Sequence, residues 1–147
     1  MKYLKRIFEK SDNSAKSLDE VLDFCEGSLA YLLDDGWKLD VKKKEGSRRI
    51  WYNVTITNEE GADFSDIADY IIPFLTRLVD SYNLFSSNRD WSWDQERPLV
   101  KITNIPTMKY KSEMHLTESE IKNELSSYII PNIIIINFSI YGIKKAD

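Results

Sequence analysis

Leu18, Val21, Leu22, Cys25, Leu29, Leu32 and Leu33 recur at three- and four-residue steps, the spacing that gathers side chains on one face of an α-helix. Ser17-Leu18-Asp19-Glu20 heads that run as a capping box, in which the Ser17 side chain accepts from the Glu20 N–H and Glu20 reaches back. Asp19, Glu20 and Asp23 suit the positive end of the helix dipole, and Gly36 suits the stop. The pattern predicts one helix over 17–36. The period then drops to two. Trp37, Leu39 and Val41 alternate with Lys38, Asp40 and Lys42. After a turn near Glu45-Gly46-Ser47, Ile50, Tyr52, Val54 and Ile56 alternate with Trp51, Asn53, Thr55 and Thr57. This predicts an antiparallel hairpin with one face on the core, followed by a turn over 58–61.

The helical period returns at Ile67, Ile71, Leu75, Leu78 and Tyr82, predicting a second helix over 65–82. Pro73 falls inside it, and the missing N–H predicts a kink or break at 72–73. Leu84 and Phe85 begin a further strand, and residues 99–105 alternate as another. Thr117 to Glu120 is a second capping box, opening a shorter helix with Ile121, Leu125 and Tyr128 on its apolar side. Residues 132–141 form the last strand, apolar on both faces at its start as a central strand is. The order α-β-β-α-β-(β)-α-β predicts an α+β, two-layer sandwich. Its mixed or mostly antiparallel sheet would have four to five strands, with three helices. Residues 1–16 read as an N-terminal arm, with Leu4, Ile7 and Phe8 at helical spacing among Lys2, Lys5, Arg6 and Lys10. Residues 17–147 read as a single domain.

Composition narrows the class. A chain of 147 residues with 42% hydrophobic and 30% charged residues is ordinary globular material. The single cysteine, Cys25, has no internal partner for a disulfide, which favours a reducing cytoplasm. The basic, apolar start is too short for a signal peptide, and the longest unbroken isoleucine run, 133–136, is far from the roughly 20 apolar residues of a membrane span. Asn53-Val54-Thr55 and Asn137-Phe138-Ser139 match the glycosylation triplet, and without a secretion signal both are read as chance. The net charge is −4, but it is blocked: six acids and no base from Asp19 to Asp35, six bases against two acids from Lys38 to Arg49, five acids and no base from Glu59 to Asp69.

Motifs for chemistry are lacking. The five glycines stand singly, and there is no CxxC, HExxH or GxSxG. No cofactor or metal is therefore expected. The sole histidine, His115, is expected in an exposed loop before the third helix. Cys25 on an apolar stripe is expected to be inert. The carboxylate pairs Asp34-Asp35, Glu59-Glu60 and Asp94 with Glu96 are expected to be solvated rather than gathered in one cleft for acid–base work. The chain is thus expected not to be an enzyme.

Two binding surfaces remain. Arg89, Trp91 and Trp93 combine the residue types of interface hot spots in an otherwise polar stretch; they point to a protein partner or a homo-oligomer, and carry the favoured reading of a small binding or self-associating module. Lys42, Lys43, Lys44, Arg48 and Arg49 surround the hairpin tip beside Trp51, with Arg49 placed for a cation–π contact to Trp51. That set suits a single-stranded nucleic acid, by pairing phosphates and stacking a base. The flanking acidic blocks weigh against it, so nucleic acid is the alternative. An enzyme relying on scattered carboxylates or a metal comes third.

Met1-Lys2-Tyr3-Leu4-Lys5-Arg6-Ile7-Phe8, with Asp23-Phe24-Cys25 and Leu29-Ala30-Tyr31-Leu32-Leu33-Asp34-Asp35-Gly36-Trp37, resembles small uncharacterised proteins of large tailed phages, marine ones especially. The resemblance covers the first quarter of the chain. It implies work in a bacterial cytoplasm or a virion, and brings no activity and no site residues with it.

Overall fold

The computed structural model describes residues 17–85, 92, 94–105 and 110–142. The N-terminal arm lies outside them. Helix α1 (Leu18–Ser28) starts where its cap predicts: the Glu20 N–H donates to Ser17 Oγ at 3.1 Å. It does not run unbroken to Gly36. Leu29 leaves helical geometry at φ −111°, and a short α2 (Ala30–Asp34) follows. Gly27 and Ser28, both weak helix formers, precede the break, and complete burial of Leu29 holds it in place.

Strands β1 (Lys38–Glu45) and β2 (Ile50–Ala62) form the expected hairpin. The turn expected over 58–61 is absorbed into β2. The pairing register shifts between Thr57 and Ala62, Asn58 Oδ1 accepts from the Glu60 N–H at 3.1 Å, and Gly61 takes φ +77°. These turn residues thus make a bulge in a strand that carries on.

Helix α3 (Phe64–Ser81) runs on through Pro73, so of the kink or break expected at 72–73 the break does not occur. Pro73 is exposed while Ile71, Phe74, Leu75 and Leu78 are fully buried on the opposite side. Pro73 and Asp69, whose carbonyl loses its N–H partner, are both exposed residues, and core packing holds the helix through them. Strands β3 (Leu84–Phe85) and β4 (Pro98–Asn104) follow.

Next comes β5 (Ser112–Thr117), which the sequence pattern does not announce; His115 lies in this strand, opposite Lys101, rather than in a loop. The second capping box forms in both directions: Thr117 N–H to Glu120 at 3.1 Å and Glu120 N–H to Thr117 at 3.3 Å. What it caps is one π-helical turn (Glu120–Glu124) and one 3-10 turn (Leu125–Ser127), not a regular helix. The last strand is β6 (Ile133–Tyr141).

All described pairings are antiparallel, in the order β1-β2-β6-β4-β5, with β3 paired to the C-terminal end of β6. The α+β expectation holds, with six strands and β6 at the centre. One face carries Tyr52, Val54, Ile56, Ile102, Ile136, Phe138 and Ile140 into a single core with the buried stripes of α1 and α3. Those seven side chains are at most 3% exposed. No helix among the described residues is long and apolar enough to cross a membrane.

Candidate functional site

The other face of the sheet follows from the register. Lys44 opposes Trp51, and Trp51 opposes Tyr141; Lys42, Asn53 and Ser139 line up next, with Phe85 beyond Ser139. The following row is Asp40, Thr55, Asn137, Lys101 and His115. Among the described residues no helix packs on this face, since the helical side chains join the core on the opposite one. Nor is the face a ladder of plain polar residues. It has an aromatic end and an amide-lined middle.

At the aromatic end the Phe85 ring stacks on Tyr141, centroids 4.4 Å apart and 23° between planes. Trp51 meets Phe85 edge-on at 6.1 Å and 88°. Trp51 also lies over Gly46, where a Cβ would come within 3.1 Å of the indole. The expected cation–π contact forms with a different ring: Arg49 sits over Tyr141, its Cζ 5.3 Å from the centroid, and Nη1 donates to the Tyr141 hydroxyl at 3.2 Å. Trp51, Phe85 and Tyr141 each remain only partly buried. Residue spacing alone pointed to Arg49 and Trp51. It missed Phe85 and Tyr141, because only the pairing of β3 with β6 brings them alongside. The period-two series Ile135, Asn137, Ser139, Tyr141 was the one available signal.

The cations sort themselves along the same axis. Lys38 pairs with Glu59 at 3.6 Å, Lys42 with Asp40 at 3.8 Å and Lys101 with Glu113 at 3.9 Å. Lys43 points to the helix side with Tyr52 and pairs with Glu45 at 3.4 Å. It therefore leaves the basic set. Lys44 and Arg48 are exposed and have no carboxylate partner among the described residues, and the Arg49 side chain is engaged, among them, by Tyr141. Exposed pairs contribute little, about 0–1 kcal/mol each, but they cancel charge locally. Along the hairpin, the positive charge left uncancelled among the described residues lies at the Trp51 end.

The middle of the face is built from two asparagines. Asn137 Nδ2 donates to the Val54 carbonyl at 3.1 Å and to Thr55 Oγ1 at 2.8 Å, and Ser139 Oγ donates to Asn53 Oδ1 at 2.7 Å. The two glycosylation-like triplets therefore lie antiparallel and bond to each other.

The other candidates fall elsewhere. Cys25 is fully buried, and burial pushes its thiol up to about 12, assisted by the Glu26 charge. His115 lies 3.8 Å from Glu113, and no cluster that could hold a metal occurs among the described residues. Asp94 is held below the usual carboxylate range by the Ser92 hydroxyl, and Glu96 by the Ser119 backbone N–H and hydroxyl, both at 2.9 Å. They serve separate turns, not a shared site. Asp34, Asp35, Glu59 and Glu60, by contrast, do line one open cleft of about 1040 Å³, with Asp66 and the stacked Tyr31–Tyr70 pair. All five acids there are exposed. Arg89, Trp91 and Trp93 lie outside the described residues. No family model, no curated protein and no solved structure matches this chain.

Proposed function

We propose that this chain binds single-stranded nucleic acid across the open sheet face, at its Trp51 end. The observation that carries the reading is the coincidence of two features in one place. Among the described residues of the hairpin, Lys44, Arg48 and Arg49 have no carboxylate ion pair, Lys44 lies opposite Trp51 and Arg49 over Tyr141, and both of those rings meet Phe85. Phosphates need unpaired cations, and bases need exposed π surface. Arg49 fits both tasks, since its guanidinium already stacks on a ring and can exchange that contact for a base or a phosphate. The phage setting implied by the resemblance at the N-terminal quarter is compatible with this work, and we carry it only as part of the proposal.

Fluorescence anisotropy with a labelled 12-nucleotide strand tests the reading. Three phosphate contacts predict a slope of about −2 in log affinity against log salt, or roughly a 15-fold loss between 50 and 200 mM. The Lys44→Glu/Arg49→Glu variant, with native circular dichroism, is expected to lose at least ten-fold in affinity. No binding by the wild type at about 20 mM salt would remove the proposal. A stable dimer in light scattering that takes up no strand would favour the self-associating module instead.

A further inference from the structure

We infer that Asn53 and Asn137 read a base edge, so that this face discriminates among bases rather than holding any single strand equally. The inference rests on the single-strand reading and deepens it. Both asparagines sit in the rows directly below the aromatic cluster: Asn53 is two residues from Trp51 on β2, and its cross-strand partner Ser139 is two residues from Tyr141 on β6. Adjacent same-face positions on a strand are about 6.5–7 Å apart. A base stacked at the rings therefore projects its edge over the asparagine rows.

The two carboxamides are held by different partners, which engage them in opposite senses. Asn137 donates both to a backbone carbonyl and to Thr55 Oγ1. A carbonyl only accepts, so the nitrogen is identified, both its hydrogens are engaged, and Oδ1 is left as an acceptor with no partner among the described residues. In Asn53 the Ser139 hydroxyl donates to Oδ1, and in that arrangement the Nδ2 hydrogens are donors with no partner among the described residues; because a hydroxyl both donates and accepts, this amide, unlike that of Asn137, is not oriented by its partner alone. Ser139 is only 7% exposed, so water competes little for that bond and the Asn53 amide is held. The middle of the face thus presents one fixed acceptor, on Asn137, and beside it a donor on Asn53. They lie on diagonal neighbours across an antiparallel ladder, about 7 Å apart at the backbone. A ring platform alone is indifferent to base identity, because every base has a π-face. Oriented donors and acceptors are not, because base edges differ in where they donate and accept. The chemistry recognised is the order of donor and acceptor along a base edge, an acceptor toward Asn53 and a donor toward Asn137, since the bases differ in that order.

The test is competition among strands of equal length and charge: 12-mers of dA, dC and dT, and a 12-mer of abasic sites, each titrated at one salt concentration. The wild type is expected to spread the three base homopolymers over ten-fold or more, the order of one good base contact. Asn53→Ser retains an oxygen for Ser139 but is too short to reach a base. It is expected to shrink the spread below three-fold while the salt slope stays unchanged. Ser139→Ala, which releases the Asn53 amide, is expected to shrink it in the same direction. A wild-type spread below three-fold overturns base reading and leaves single-strand binding standing. A spread unchanged in Asn53→Ser overturns the assignment to Asn53. If no strand binds even at low salt, the single-strand reading itself falls, and base reading with it.

Discussion

At the scale of single residues, the determining fact is what each polar or reactive group has beside it. Cys25 sits among apolar side chains, so its neutral thiol is favoured and its pKa rises from 9.0 to about 12. The folded value lies above the unfolded one. The thiol's contribution to stability is therefore complete below pH 9 and is lost as pH rises through 9 toward 12. Reaction with a disulfide reagent at pH 8 is expected to be at least 100-fold slower in the native protein than in guanidinium, because the thiolate is scarce and shielded; equal rates would show that the site opens freely. This burial was legible, since Cys25 falls on an apolar stripe of period 3.6. The roles of Asn53 and Asn137 were not. Their triplets carry a glycosylation pattern, and nothing local says that Asn53 will face Ser139 across two strands 86 residues apart in sequence.

At the scale of elements, capping chemistry proved the most reliable guide, and length the least. Both capping boxes mark true starts, at Ser17 and Thr117. Yet the second opens only a π turn and a 3-10 turn. Few residues separate Thr117 from Pro131, too few for a helix to stand on propensity. Glu120 is also drawn to the Tyr128 hydroxyl, which shapes the turn around it. Strand β5 escaped notice because Met114 and Leu116 are its only apolar residues; it is a strand because β4 offers it a ladder, which is tertiary context rather than propensity. Pro73 does not end α3, because the fully buried Ile71, Phe74, Leu75 and Leu78 hold the helix across the bond that the proline removes. Gly27 offers a test of the same logic in α1. It is exposed and helical, with open space where an alanine methyl would stand. Gly27→Ala is expected to raise unfolding free energy by about 0.5–1 kcal/mol in urea titration. A loss would mean that Gly27 sustains the break at Leu29.

At the scale of the whole molecule, the fold separates what the composition averages. A net charge of −4 speaks against a polyanion partner, and the acidic blocks made that objection weigh heavily in the sequence. In the structure α1 carries Asp19, Glu20, Asp23 and Glu26 with no base, on the layer away from the open face. The hairpin block supplies that face with its lysines, while only Lys43 turns to the helix side. Which block meets which layer depends on the topology of six strands, and no window of sequence contains it. A helix is about 10–12 Å across, so acids on the outer surface of α1 stand roughly 15 Å or more from a strand lying on the sheet. Screening decides whether that matters: the Debye length is about 8 Å at 0.15 M salt and about 30 Å at 0.01 M. Neutralising Asp23 and Glu26 as Asp23→Asn/Glu26→Gln is therefore expected to change affinity for a 12-mer less than two-fold at 0.15 M. The same variant is expected to raise it several-fold at 0.01 M, where the repulsion is unscreened. Anisotropy titrations at the two salt concentrations measure both. A ten-fold gain at 0.15 M would place the bound strand against the helices, and would overturn the assignment of binding to the sheet face.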